Sequence, residues 1–270
     1  LIFADPVYAK TDERLKGTDS NNSTIGSRVS GNLRSFESLH SLSRLPGSDK
    51  EAVSIAKVIG SDNATIRSGF EANRQSVLAP DVTNFKIIHF AAHGLIEEDR
   101  PELSGIVLSL FDRAGEPQDG GIIRLQDVYG MRLSADIVVL SACDTGMGKE
   151  VKGEGLVSLN NAFIQAGART VISSLWKVDD TATQVLMTEF YRTLVSDRLT
   201  AAAALRNAQL KMYRDPRFRS PFYWASFTAH GDMWKVPALE NHIDYRYIIL
   251  PILLILLVGI YLAKTRRGSD

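Results

Sequence analysis

Asp136-Ile137-Val138-Val139-Leu140-Ser141-Ala142-Cys143-Asp144-Thr145-Gly146 is the stretch that decides the fold. Ile137 to Leu140 is a short apolar run rich in β-branched residues, and it ends in small and turn-forming residues. That is the pattern of a central parallel strand buried on both faces. Cys143, the single cysteine of the chain, stands just past its end. A second stretch has the same design: Phe85-Lys86-Ile87-Ile88-His89-Phe90-Ala91-Ala92-His93-Gly94, a strand that stops on His93 and is followed by glycine. In open α/β sheets the working groups collect outside the carboxyl ends of the strands. One thiol and one imidazole at two such ends point to a nucleophile with an acid/base beside it. The competing reading of Cys143 is a buried small hydrophobe, the common fate of a lone cysteine. The competing reading of His93 is a core histidine whose hydrogen bonds are met inside the fold. For His89, four residues earlier and within the strand, that core role is the expectation.

Outward from these strands, helical and strand patterns alternate. Leu1 to Asp5 reads as a strand that leaves the sheet at Pro6. Residues 12–48 are rich in Ser, Asn and Gly and read as a long flexible loop, either functional or disordered. Asp49 to Gly60 reads as an amphipathic helix with apolar Ala52, Val53, Ile55, Ala56 and Ile59 and a closing glycine. Ala64 to Ile66 is a short strand, and Phe70 to Leu78 a second helix. Ile106 to Leu110 reads as an edge hairpin strand, and Leu125 to Leu133 as helical. After the Cys143 strand come a helix carrying Leu156, Leu159, Phe163 and Ile164, a strand from Arg169 to Trp176, and a helix with Ala182, Val185, Leu186, Phe190 and Leu194 on one face. A helix from Thr200 to Met212 and an edge segment from Phe222 to Ala229 follow. Strict alternation of this kind gives an α/β fold, a mostly parallel sheet with helices on both faces.

The chain of 270 residues is long enough for one such domain with additions. Lys+Arg and Asp+Glu are equal at 31 each, so no basic excess supports a nucleic-acid partner. One cysteine excludes an internal disulfide and leaves the redox compartment open. The chain opens directly on a strand-like segment, which leads to the expectation that it is the C-terminal part of a longer protein. Residues 247–263 are uncharged and dominated by Ile and Leu, near the lower limit of the roughly 17–25 residues that span a bilayer. Tyr245, Tyr247 and Tyr261 fit interfacial positions, and Lys264, Arg266 and Arg267 follow. The expected organisation is therefore a domain over 1–236, a linker over 237–246, a single membrane-spanning helix over 247–263 and a basic tail over 264–270. The positive-inside rule leans toward a cytoplasmic tail with the domain outside.

The ordered motifs His-Phe-Ala-Ala-His-Gly (89–94), Leu-Ser-Ala-Cys-Asp-Thr-Gly (140–146), Gly-Glu-Gly-Leu (153–156), Ser-Ser-Leu-Trp-Lys-Val-Asp-Asp (173–180) and Pro-Phe-Tyr-Trp-Ala-Ser-Phe (221–227) resemble those of the CHAT domain, a caspase-like family related to caspases, separase and gingipains. The resemblance runs from about Leu1 to about Trp234. It implies a caspase-like three-layer sandwich and a cysteine endopeptidase in which Cys143 is the nucleophile and His93 the general acid/base. It also implies an oxyanion hole from the backbone N–H groups of Gly94 and Cys143. The segment Ser173 to Lys177 falls where caspase-like folds line the pocket for the residue before the cut. Ser174, Trp176 and Asp179 are its expected members, with Asp144 shaping the pocket or orienting His93. Helix capping competes for one of Asp179 and Asp180, and a turn role competes for Asp144. The implied partners are a protein or peptide substrate, an N-terminal regulatory region of tetratricopeptide type or another activator, and the membrane. Two alternatives stay open: a catalytically silent interaction module of the same fold, and another thiol hydrolase or transferase.

No cofactor or metal is expected. Gly146-Met147-Gly148-Lys149 follows a strand but lacks the spacing of a phosphate loop, and Glu150 stands where a hydroxyl is needed. No His/Cys grouping has zinc-ligand spacing.

Overall fold

The computed structural model describes residues 1–15, 39, 42–95, 100, 103–118, 120–141 and 154–237, with the side chains of 154–158 excepted. The expected membrane helix over 247–263 lies outside them. Among the described residues no helix is long and apolar enough to cross a membrane.

The elements in chain order are β1 (Ile2–Ala4), α1 (Pro46–Ile59), β2 (Ile66–Ser68), α2 (Arg74–Val77), β3 (Ile87–Ala91), β4 (Gly94–Leu95), β5 (Gly105–Val107), β6 (Ile122–Arg124), α3 (Leu125–Gly130), β7 (Ile137–Leu140), α4 (Glu154–Gln165), β8 (Thr170–Ser174), α5 (Asp180–Ser196), α6 (Ala201–Arg214) and β9 (Phe227–Gly231). Six strands form one sheet in the order β2-β1-β3-β7-β8-β9. All its pairs are parallel except β8 with β9, which closes the sheet with an antiparallel edge. The fold is thus α/β with a mostly parallel sheet, as the alternation of patterns predicts.

Strand alternation sorts the core into two layers. Ile88 and Phe90 of β3, Val138 and Leu140 of β7 and Val171 of β8 pack on one face with Phe163 of α4 and Val128 of α3. Phe90 stacks between Phe3, at 5.1 Å, and Phe163, at 5.7 Å. Ile137, Val139 and Ile172 point to the other face, where Ile55 of α1, Leu186 and Phe190 of α5 and Ala204 of α6 cover them. Every residue of β7 is buried, which is why the run from Ile137 to Leu140 carries no polar residue. Asp179 and Thr200 cap α5 and α6 by accepting from the backbone N–H groups of Ala182 and Ala203. Gly167 ends α4 at φ +111°, where a Cβ would meet the Leu133 carbonyl oxygen at 2.2 Å. Its left-handed turn lets Ala168 N–H reach back to Phe163 O at 3.0 Å.

Several expectations need correction. α1 starts at Pro46, a turn earlier than Asp49; proline fits the first helical turn because its missing N–H has no intrahelical acceptor there. Ser48 and Leu45 are buried, so the C-terminal end of the expected loop is packed chain; most of 12–48 lies outside the described residues. Phe70 to Leu78 is a 3₁₀ turn followed by the one-turn helix α2, because Asn73 caps the chain afresh through Ser76 N–H. The strand expected at 64–66 runs over Ile66–Ser68. β5 belongs to a separate antiparallel sheet, β4-β5-β6, and β6 had no counterpart in the pattern reading. Val53, placed on the apolar side of α1, is 41% exposed.

Phe90→Ala is expected to cost about 3–5 kcal/mol, because it opens a cavity between two aromatic neighbours. Val53→Ala is expected to stay within about 0.5 kcal/mol. Urea unfolding of both variants checks the pair.

Candidate active site

β3 and β7 run parallel and leave the sheet at the same edge, with Phe90 opposite Leu140. Ser141 continues the pairing by donating its N–H to Phe90 O at 3.0 Å. Past Ala91 the chain carries His93 and passes into β4. A small cavity lies at this edge. His93, Ser141, Glu51, Ser48, Lys177 and Asp180 are among the residues that line it. Cys143 and Asp144 lie outside the described residues.

His93 is 1% exposed and held from several sides. Its Nε2 lies 2.8 Å from the carbonyl oxygen of Ser43. A carbonyl can only accept, so Nε2 carries the proton and the neutral ring keeps its lone pair on Nδ1. The His93 backbone N–H donates to the Tyr8 hydroxyl at 3.1 Å, and the two rings lie 4.8 Å apart. The His93 carbonyl accepts from Val107 N–H at 2.8 Å. This bond makes Gly94 and Ile106 a non-hydrogen-bonded pair in the antiparallel ladder, which turns the Gly94 N–H away from β5.

His89 has a different environment. Its Nε2 meets the Glu51 carboxylate at 2.9 Å and the Ser141 hydroxyl at 3.1 Å, and its Nδ1 meets the Tyr191 hydroxyl at 3.0 Å. All four residues are buried. Burial first, and Glu51 second, push the Tyr191 phenol well above its usual range, so it stays a hydroxyl.

The remaining candidates separate. Ser174 is buried and donates its hydroxyl to the Trp176 carbonyl at 2.5 Å. Trp176 donates its indole N–H to Phe222 O at 3.0 Å. Asp179 accepts from Ala182 N–H at 2.9 Å. None of these three lines the cavity; the neighbouring Lys177, Val178 and Asp180 do. Lost hydration, then the charges of Asp179 and Glu51, raise the Asp180 carboxyl above its ordinary value, while His93 and Lys177 pull it down. Residue patterns miss Glu51, Tyr8 and Ser43. The sequence pairs Asp180 with Asp179, helix capping competing for one of the two; Asp179 is the one that caps, while Asp180 lines the cavity.

Among the described residues no group of three His, Cys, Asp or Glu side chains could hold a metal ion. The molecule is an α/β protein whose mostly parallel sheet delivers a buried, orientated histidine to the carboxyl edge of its central strands. The sequence profile of the CHAT domain matches residues 1–232. The chain belongs to the CHAT domain family. It is similar to tetratricopeptide repeat protein 28 of Mus musculus, 35% identical over 115 residues, covering 43% of this chain and 5% of that protein. It is also similar to tetratricopeptide repeat protein 28 of Homo sapiens, 26% identical over 222 residues, covering 71% of this chain and 9% of that protein. The chain thus spans less than a tenth of the curated relatives it matches.

The raised Asp180 carboxyl gives a pH prediction. The folded protein holds this proton more tightly than the unfolded chain, so stability is lost as pH rises from about 3.8 through the folded-state value. Asp180→Asn is therefore expected to melt above the parent at pH 7, with the gain shrinking as pH falls toward 4. Thermal melts across that range check it.

Proposed function

We propose that the chain is a caspase-like cysteine endopeptidase with Cys143 as nucleophile and His93 as general acid/base. The observation that carries this reading is the register of the two central strands. Ile87 and Phe90 pair with Ile137 and Leu140, partners fifty positions on, and fifty positions also separate His93 from Cys143. His93 and Ser141, two residues before Cys143, line one cavity.

In the first half-reaction His93 takes the thiol proton, and the Cys143 sulfur attacks the scissile carbonyl carbon. A C–S bond forms and the carbonyl electrons move to oxygen. The Gly94 N–H, directed away from its ladder, is one donor for that oxyanion, with the Cys143 N–H as the other. The C–N bond then breaks as the imidazolium protonates the leaving amine. In the second half-reaction His93 deprotonates a water that attacks the thioester carbon. The C–S bond breaks, the imidazolium returns its proton to the Cys143 sulfur, and the carboxylic acid leaves. The tautomer set by Ser43 suits both halves, because the proton-accepting nitrogen is Nδ1 throughout.

The wider reading follows from sequence. The pocket for the residue before the cut is assigned to Asp144, Ser174, Trp176 and Asp179. The tetratricopeptide repeats in the relatives' names support regulation by an N-terminal repeat region. Residues 247–263 supply a single-pass anchor, with the domain placed outside the cytoplasm by the charge of the tail.

A peptidyl acyloxymethyl ketone tests the chemistry, since the chain offers one thiol. Labelling is expected to vanish in Cys143→Ala and to slow by about 10²–10⁴-fold in His93→Ala. Labelling that survives in Cys143→Ala removes the peptidase reading, and no labelling of the parent under any activating condition favours the silent interaction module. A chain ending at residue 246 is expected to leave the membrane fraction on ultracentrifugation, and its persistence there would remove the anchor.

A further inference from the structure

Asp5 stands out in the backbone. It has φ +46°, in the left-handed region, and it is buried at the exit of β1 beside β3. Such a conformation persists at a non-glycine residue only where its surroundings fix it. Here they do so completely. The Asp5 N–H donates to Ser48 Oγ at 2.9 Å. Its Oδ1 accepts from Arg44 Nε at 3.0 Å and its Oδ2 from an Arg44 terminal nitrogen at 2.8 Å, a two-pronged pair. Arg14 donates to both its Oδ2 and its carbonyl oxygen, each at 2.9 Å. Arg44 follows Ser43, whose carbonyl receives the His93 Nε2 proton. Leu42 and Leu45, on either side of the pair, are buried with Tyr8 and Leu95. Ser48 ties the other end, because its hydroxyl accepts from Asp5 while donating to Leu45 O at 2.7 Å.

The exposed Ser43 and Arg44 thus form a short strap whose carbonyl reaches inward to an almost fully buried ring. The bidentate Arg44–Asp5 pair lies one peptide away from that carbonyl. We propose that Asp5 and Arg44 are positioning residues for His93: their ion pair sets the Ser43 carbonyl, and through it the ring orientation and tautomer of the imidazole. This rests on the reading of His93 as the acid/base of the site. When the ring takes a proton, the Nε2–H bond to Ser43 O becomes charge-assisted and strengthens. The charged groups that share the cavity with His93 are Glu51 from α1 and Lys177 and Asp180 at the start of α5; Tyr8 contacts the ring from the β1 side. Nε2 itself is bonded to the Ser43 carbonyl.

The test uses the full chain in detergent micelles, labelled with ¹⁵N-histidine. Five histidines make the spectrum tractable, and His93→Gln assigns the signal. Long-range ¹H–¹⁵N correlation at pH 8 is expected to show the Nε2–H tautomer at His93 in the parent. Arg44→Ala is expected to give a mixture of tautomers, and Arg44→Lys, which keeps the charge but not the fork, is expected to fail to rescue it. Glu13→Ala removes only the outer partner of Arg44, at 3.0 Å, and is expected to leave the tautomer unchanged. Iodoacetamide alkylation of Cys143 at pH 6 is expected to be about tenfold slower in Arg44→Ala than in the parent, because the thiolate–imidazolium pair is weakened. A folded Arg44→Ala or Arg44→Lys chain with the parent's tautomer overturns the proposal. The tautomer is read without any turnover, so a parent that cleaves nothing defeats the peptidase reading and leaves this result standing.

Discussion

The parallel pairing of β3 with β7 is the constraint on which the rest depends. It fixes which side chains of two buried strands share a face and which chain exits share an edge. A slip of one residue would invert every face of the moved strand. Phe90 would leave its place between Phe3 and Phe163, and His89 would lose Glu51, Tyr191 and Ser141 together. The pairing is therefore specified twice, by aromatic packing on one face and by a polar network on the other. The second device is the more exacting, because an unmet buried polar group costs far more than an imperfect apolar contact.

That network also links the core to the site. Ser141 bonds to His89 and stands two positions before Cys143 in the chain. Glu51 bonds to His89 and also lines the cavity of His93. A buried carboxylate is tolerated only with close partners, and removing one of them strands the other. The region under the site is thus tied together by buried polar contacts. The Asp5 cluster performs the same task at the neighbouring strand exit with two arginines.

Much of this was legible in the chain. The strands at 87–91 and 137–140, a capping aspartate at the start of α5 and the stripe on that helix follow from periodicity and end chemistry alone. What was not legible came from distance along the chain. Asp5 and Arg44 are 39 positions apart, and nothing local in either predicts the pair. β6 is three residues long and takes its identity from its partner β5. α1 begins before its first acidic residue because Pro46, in a run that otherwise reads as loop, suits a first turn. Periodicity reports what a segment buries; it does not report which remote side chain closes a hydrogen bond.

The two histidines show how one strand serves both purposes. His89 and His93 both face the helical layer that contains Glu51. Their surroundings diverge. At His89 the side chains of α1 and α5 close over the ring and use both nitrogens. At His93 the strand has ended, and the first turns of α1 and α5 leave a small cavity beside the ring. The same carboxylates remain close enough to matter. His93 draws the Asp180 carboxyl down. Both rings are buried, but His89 is closed in by protein on both nitrogens, whereas His93 lines a cavity.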